Sequence, residues 1–279
     1  MVEAVMADPD GIRIVAQPIV DLVTGRIVGH EALSRFDRRL GWGPQQWFGC
    51  AHACGLGARL EAAAIDAALC VPDRPAGTYL TVNVSPSTLG TRALGEVLPC
   101  DLSGLVFELT ENESISADPT LPATLRGYRR RGAQFALDDV GSGHARLADI
   151  ALLAPELVKL DRSLITSLDD DPARASAVEE LVHAALSTGA QVCAEGVETL
   201  QQLRWLHRAG VTHVQGYLLG RPHTGWAADS PALDGLVQQA RTPALLNRFQ
   251  TPSPQRHDRF RGGPSSWTGR KPWRLIAAS

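Results

Sequence analysis

Two carboxylates stand side by side in the run Gln134-Phe135-Ala136-Leu137-Asp138-Asp139, and Val140-Gly141-Ser142-Gly143 follows them. Adjacent residues of a regular strand point to opposite faces. Both aspartates can therefore serve one site only if the backbone turns just after Asp138, and the glycines permit such a turn. Carboxylates packed together at neutral pH repel unless a cation or a proton lies between them. An Asp-rich turn capping the next helix is an equally good reading of this segment taken alone. Other apolar runs end in the same way, on Glu31, Asn83, Glu108, Lys159, Glu195 and Gln215. Glu31, Asn83, Glu108 and Asp138 offer hard oxygen ligands without thiolate or imidazole, a set that selects Mg²⁺ or Mn²⁺ over zinc. Asp139 and Glu195 add enough carboxylate for a second ion that shares Asp138. Two such ions, about 3.5–4 Å apart, activate a water and clamp a phosphoryl group for in-line displacement.

Lys159 stands out by composition. Of 27 basic residues only Lys159 and Lys271 are lysine. A lysine kept at a strand end suggests a place that needs a compact ammonium rather than a planar fork, to hold a water or offset phosphate charge; chance retention is the plainer account. Arg35 is the best-placed guanidinium for a substrate phosphate. Glu111 and Glu198 fall three residues beyond Glu108 and Glu195, where capping a helix and orienting a loop are both open. His144 and His223 fit the same rim or a solvated loop. Cys50-Ala51-His52-Ala53-Cys54 has the look of a metal site but lies in an Ala-rich helical stretch without a second ligand cluster, so packing is expected.

These residues need a frame that brings them together. Strands are expected at Ile12–Asp21, Ile27–Leu33, Tyr79–Val84, Leu105–Leu109, Gln134–Asp138, Leu157–Leu160, Gln191–Glu195 and Thr212–Gln215. Val23-Thr24-Gly25 is too short for a parallel crossover, so the first two strands should be antiparallel. Helices fit a region from about Pro44 to Leu69, broken near Gly55 and Gly57, and then 119–131, 144–152, 173–188, 198–208 and 229–240. The alternation argues for an α/β fold, a (β/α)8 TIM-type barrel with an antiparallel first strand. Strand parity then turns the polar strand ends inward at the C-terminal rim, where barrel active sites are built.

A chain of 279 residues suits one such barrel, and no apolar run approaches the ~20 residues of a membrane span. No basic segment followed by an apolar core opens the chain, and the cysteines are odd in number and scattered, so a reducing cytoplasm is expected. Net charge is −3, but seven arginines and Lys271 against Asp258 give residues 241–279 a charge of +7, leaving −10 for the rest. An acidic body suits divalent cations rather than non-specific nucleic-acid binding. The expected division is a short extension over 1–10, the barrel over 11–240, and a basic Pro/Arg-rich tail over 241–279, read as disordered and suited to docking an anionic partner or nucleic acid.

The segments Gln17-Pro18-Ile19-Val20-Asp21, Glu31-Ala32-Leu33-Ser34-Arg35, Asn83-Val84-Ser85, Glu108-Leu109-Thr110-Glu111, Asp138-Asp139-Val140-Gly141, Val158-Lys159-Leu160-Asp161, Ala194-Glu195-Gly196-Val197-Glu198 and Gln215-Gly216-Tyr217 together resemble the EAL-domain cyclic-di-GMP phosphodiesterases. The resemblance covers about residues 10–240. It implies a barrel that hydrolyses cyclic di-GMP to linear pGpG with Mg²⁺ or Mn²⁺. Glu31, Asn83, Glu108 and Asp138 would hold one ion, and Asp138, Asp139 and Glu195 the second. Glu195 and Lys159 would position or activate water. Arg35, Leu33 and Gln215 would meet substrate, while Glu111, Glu198 and Asp161 would steady the loops. The family usually has Phe where Val140 stands, in a loop that often couples dimerisation to catalysis, so a homodimer and its regulation are left open. Two other readings stay beside the enzyme: a non-hydrolysing cyclic-di-GMP receptor, which typically lacks metal ligands, and a phosphodiesterase for another nucleotide.

Overall fold

One side chain makes the first turn of the sheet. Asp21 Oδ1 accepts from Val23 N–H at 3.0 Å, Thr24 N–H at 2.6 Å and the Thr24 hydroxyl at 2.8 Å. The chain reverses there, joining β1 (Ile12–Asp21) to an antiparallel β2 (Ile27–Phe36). The computed structural model describes residues 1–37, 41–109, 120–141, 147–166 and 172–242. The remaining strands are β3 (Tyr79–Val84), β4 (Leu105–Leu109), β5 (Gln134–Val140), β6 (Leu157–Leu160), β7 (Gln191–Ala194) and β8 (His213–Val214). They close in sequence order into a barrel, parallel from β2 to β8, with β1 antiparallel to both of its neighbours. The expected fold class is the observed one.

Helix α1 (Val2–Ala7) precedes the barrel, the crossovers hold α2 (Pro44–Ala53), α3 (Gly57–Leu69), α4 (Pro86–Leu89), α5 (Arg92–Val97), α6 (Leu121–Arg129), α7 (Leu147–Leu153), α8 (Arg162–Thr166), α9 (Pro172–Ser187) and α10 (Leu200–Arg208), and α11 (Pro231–Arg241) follows β8. Four of these, α1, α4, α5 and α8, are absent from the sequence reading, because at four to six residues they show no helical period. Helix α1 falls in the segment expected as an extension, yet Val2 is buried in a cluster with Phe36, Trp47 and Leu60.

The barrel wall separates two apolar layers. Leu80, Val82, Phe107, Phe135, Leu137 and Val158 face outward into the layer shared with the helices. Ile19, Val106, Ala136, Leu157 and Cys193 fill the interior, with Val28 and Tyr79 against them. This plug closes the lower half of the barrel. A bulge sets part of it: Ile19 pairs with Gly29 but Val20 with Ile27, so Val28 is the extra residue and turns inward. Above the plug the same inward parity carries polar side chains, with Val15 on β1 and Leu33 on β2 as apolar exceptions.

Several strand ends differ from expectation. β2 continues to Phe36 because β1 supplies partners as far as Ile12. β7 and β8 stop one residue early, but Glu195 N–H still donates to Leu160 O at 3.1 Å and Gln215 N–H to Ala194 O at 2.9 Å, so the inward register persists.

Candidate active site

Lys159 stands at the centre of the upper barrel. Its side chain is 1% exposed, and Nζ lies 2.5 Å from Glu195 Oε1, 2.8 Å from Glu108 Oε1, 3.3 Å from Asp138 Oδ1 and 3.6 Å from Glu31 Oε2. Strands β2, β4, β5 and β6 contribute four of these groups, and Glu195 follows β7. Burial alone lowers the basicity of an ammonium, but the charges of Asp138, Glu108, Glu195 and Glu31 outweigh it and hold Lys159 well above the usual lysine range. Burial, with the neighbouring carboxylates, pushes the Glu195 carboxyl up to about 8 against the opposing pull of Lys159. Glu108, wholly buried, is driven up in the same way.

A ring of amides steadies the cluster. Gln215 Nε2 donates to Glu31 Oε2 at 2.6 Å and to Gln17 Oε1 at 3.1 Å, and Gln17 Nε2 donates to Gly220 O at 3.0 Å. Asn83 Nδ2 reaches Glu31 Oε1 at 3.4 Å. The chain just past Asn83 is held from beneath. Ser85 donates its N–H to Glu61 Oε2 at 2.9 Å and its hydroxyl to Glu61 Oε1 at 2.6 Å, while His52 Nε2 also meets Glu61 at 2.6 Å. His52 is thus engaged with a carboxylate. Gln17 and Glu61 had no role in the sequence reading. A signal existed for Glu61, which lies four and seven residues before the buried Ile65 and Ala68, on the apolar face of α3.

Asp138 and Asp139 do serve one place. Ligand oxygens of Asp138, Asp139 and Glu195 all lie within 4.8 Å of one another. The turn that permits this is at Asp139 itself, φ 51°, and not at the glycines after it. β5 slips register there and resumes pairing at Val140 with Leu160. Aspartate tolerates this left-handed backbone better than most side chains, so one residue supplies both the kink and the carboxylate. Val140 is fully buried in the outer apolar layer. Gly141 follows at φ 100°, and a Cβ there would come 2.2 Å from Leu164 Cδ1.

The remaining candidates lie around the rim. Asp161 Oδ1 accepts from Ser163 N–H at 2.9 Å, which caps α8. Glu198 accepts from Arg162 at 2.8 Å, tying α8 to the loop after β7. Leu33 and Arg35 follow Glu31 along β2 with the same parity. The exposed His223 bridges its backbone to Ala16. Glu111 and His144 fall outside the described residues.

The donor set is suited to a hard divalent cation. Five carboxylates, an amide oxygen and one ammonium leave the cluster strongly negative, and burying such charge uncompensated costs several kcal/mol per ion as an order of magnitude. Neither Glu108 oxygen nor Asp138 Oδ1 receives a well-formed hydrogen bond, despite being out of contact with solvent. All-oxygen ligands of this kind favour Mg²⁺, Mn²⁺ or Ca²⁺ over zinc or copper.

A family model described as EAL domain matches residues 4–222. Cyclic di-GMP phosphodiesterase RocR of Pseudomonas aeruginosa is 33% identical over 150 residues, covering 51% of this chain and 38% of that protein. The chain spans less than half the length of the curated relatives it matches. Among solved structures, the PaMucR phosphodiesterase in complex with c-di-GMP is 27% identical with a TM-score of 0.68, covering 76% of this chain and 92% of that one. The manganese/cy-diGMP complex of Klebsiella pneumoniae BlrP1 is 26% identical, also with a TM-score of 0.68, over 78% of this chain and 57% of that one.

Proposed function

Because this chain belongs to the EAL domain family, we propose that it is a divalent-metal-dependent phosphodiesterase that hydrolyses cyclic di-GMP to linear pGpG. The observation that carries the reading is the buried group of carboxylates around Lys159, in which Glu108 Oε1 and Asp138 Oδ1 face that ammonium but form no other polar contact among the described residues. In this proposal Glu31, Asn83, Glu108 and Asp138 hold one Mg²⁺ or Mn²⁺ ion, and Asp138, Asp139 and Glu195 a second. When bound, such ions lower the pKa of water and neutralise charge on phosphoryl oxygens.

The chain's own groups do the rest. Lys159 keeps its proton and offers it to the attacking water or to a phosphoryl oxygen, while Glu195 at its side orients that water. Gln215, donating to Glu31 and Gln17, fixes the carboxylate rotamer that a ligand needs. Arg35 and Leu33, further along β2, meet the substrate outside the reacting phosphodiester. Asp161 and Glu198 hold the rim loops, and Glu111 belongs with them. A cytoplasmic setting, a homodimer and an anionic partner for the basic C-terminal segment complete the proposal. The receptor reading is less favoured, since receptor-type members typically lose metal ligands and this chain has each one.

The test is incubation of pure protein with cyclic di-GMP and Mg²⁺ or Mn²⁺, followed by chromatography of the products. Linear pGpG should accumulate, and chelation should stop it. Tight binding with no product in either metal would move the assignment to the receptor.

A further inference from the structure

The antiparallel start of the barrel builds a ladder that leads away from the carboxylates. Along it Gln17 pairs with Glu31, Val15 with Leu33 and Arg13 with Arg35. Alternation puts all six side chains on the inward face, and no register shift interrupts them before Ile19. The ladder therefore runs from the polar cluster, over an apolar step, to two guanidiniums directly opposite each other at the rim. At about 3.4 Å per residue, the Cα atoms of Glu31 and Arg35 are separated by about 14 Å. A long arginine side chain closes much of that gap.

Like charges directly opposite on paired strands repel. Some other arginines of the described residues meet carboxylates, Arg26 with Asp229, Arg129 with Glu156 and Arg162 with Glu198, and others, such as Arg74 and Arg131, donate to backbone carbonyls. Arg13 has no ion-pair partner among the described residues, and Arg35 donates to the Ser34 carbonyl at 2.9 Å. Both line a cleft of about 530 Å³ whose other walls include Val15, Phe36, Pro222 and Thr224, with no carboxylate among its lining residues. That volume is in the range of small-molecule sites. Paired guanidiniums over an apolar step suit an anion joined to a flat base.

We propose that Arg13 is a second substrate-binding arginine, which with Arg35 clamps the non-reacting phosphate of a cyclic dinucleotide while the other phosphate lies at the carboxylate cluster. Arg13 thereby sets the preference for diesters with two phosphates over those with one. This deepens the proposed phosphodiesterase activity and rests on it for the orientation of the substrate. Arg13 is exposed, so its replacement leaves the core intact.

The experiment compares wild type, Arg13→Gln and Arg13→Lys with cyclic di-GMP and with bis(p-nitrophenyl) phosphate, a diester with a single phosphate, both with Mn²⁺. Calorimetric binding of cyclic di-GMP in Ca²⁺ accompanies the kinetics. In Arg13→Gln, loss of a charged hydrogen bond should raise KM for cyclic di-GMP roughly 10- to 100-fold with kcat little changed. The ratio of specificity constants between the two substrates should fall by the same factor, and Arg13→Lys should recover part of it. An unchanged ratio in Arg13→Gln, with an active wild type, would overturn the clamp. If wild type binds cyclic di-GMP but cleaves nothing, the phosphodiesterase reading fails, and the calorimetric Kd of Arg13→Gln still decides the clamp. If wild type does not bind it, both fall.

Discussion

Asp139 shows how much chemistry can rest on one backbone angle. With φ at 51° it reverses the alternation of β5 for a single step, so that Asp138 and Asp139 meet Glu195 instead of parting to opposite faces. Lys159 is the complementary case, an ammonium with almost no solvent contact that four carboxylates hold in its charged form. Its replacement should therefore be sensitive to shape as well as charge. Lys159→Arg keeps the charge but inserts a longer planar fork where Nζ now reaches four oxygens within 3.6 Å. A displacement of about 1 Å in such a site can cost about 100-fold in rate. Steady-state kinetics on cyclic di-GMP should show that loss in kcat, with Lys271→Arg as a silent control. Near-normal turnover in Lys159→Arg would make the residue a general counter-charge.

The strands carry their polar residues in two tiers. The upper tier holds the candidate ligands, and the lower tier holds a few titratable groups within the apolar plug. His213 on β8 is one of them, 3% exposed, with Thr212 Oγ1 at 2.8 Å from Nδ1 and the Tyr79 ring 6.4 Å away. Burial lowers its pKa from the usual 6.5, and Asp21 opposes that only in part. The folded state then binds fewer protons than the unfolded chain in the window below 6.5. Its stability contribution is complete above that pH and is lost as the pH falls through the window toward the folded pKa. Thermal melts from pH 7.5 to 5 should fall in wild type more steeply than in His213→Gln. Taking the difference between the two curves cancels the carboxylates that titrate in both proteins. Parallel curves would show that His213 does not couple to folding. Elements also act at a distance in the upper tier, where Glu61 on α3 fixes Ser85 and through it the strand end bearing Asn83.

On the scale of the whole molecule, closure of the barrel brings residues as far apart as Gln17 and Gln215 into one hydrogen bond. No proposed ligand lies beyond Glu195, and α11 ends the described helices at Arg241. Catalysis should therefore be separable from the basic C-terminal segment. Deleting residues 245–279 should leave kcat and KM for free cyclic di-GMP essentially unchanged, measured beside the full chain at equal metal. An insoluble or inactive truncation would mean that the segment contributes to the barrel after all.

Much of this was legible in the linear chain because barrels are built from local rules. The period-two pattern of strands such as Tyr79–Val84 and Leu105–Leu109 gave both their limits and their inward faces. The short turn at Val23-Thr24-Gly25 required β1 to be antiparallel. The sequence also determined which residue types reach the rim, hence the oxygen-rich chemistry. Tertiary structure decided the rest. Short helices such as α4 and α5 have no period to read, and their burial depends on neighbours distant in sequence. The kink at Asp139 is a register slip against β6, visible only once the two strands pair. Whether Lys159 faces one carboxylate or four depends on the barrel's circumference, which no single strand encodes. The pairing of Arg13 with Arg35 likewise comes from cross-strand register, a relation between two segments that neither segment contains.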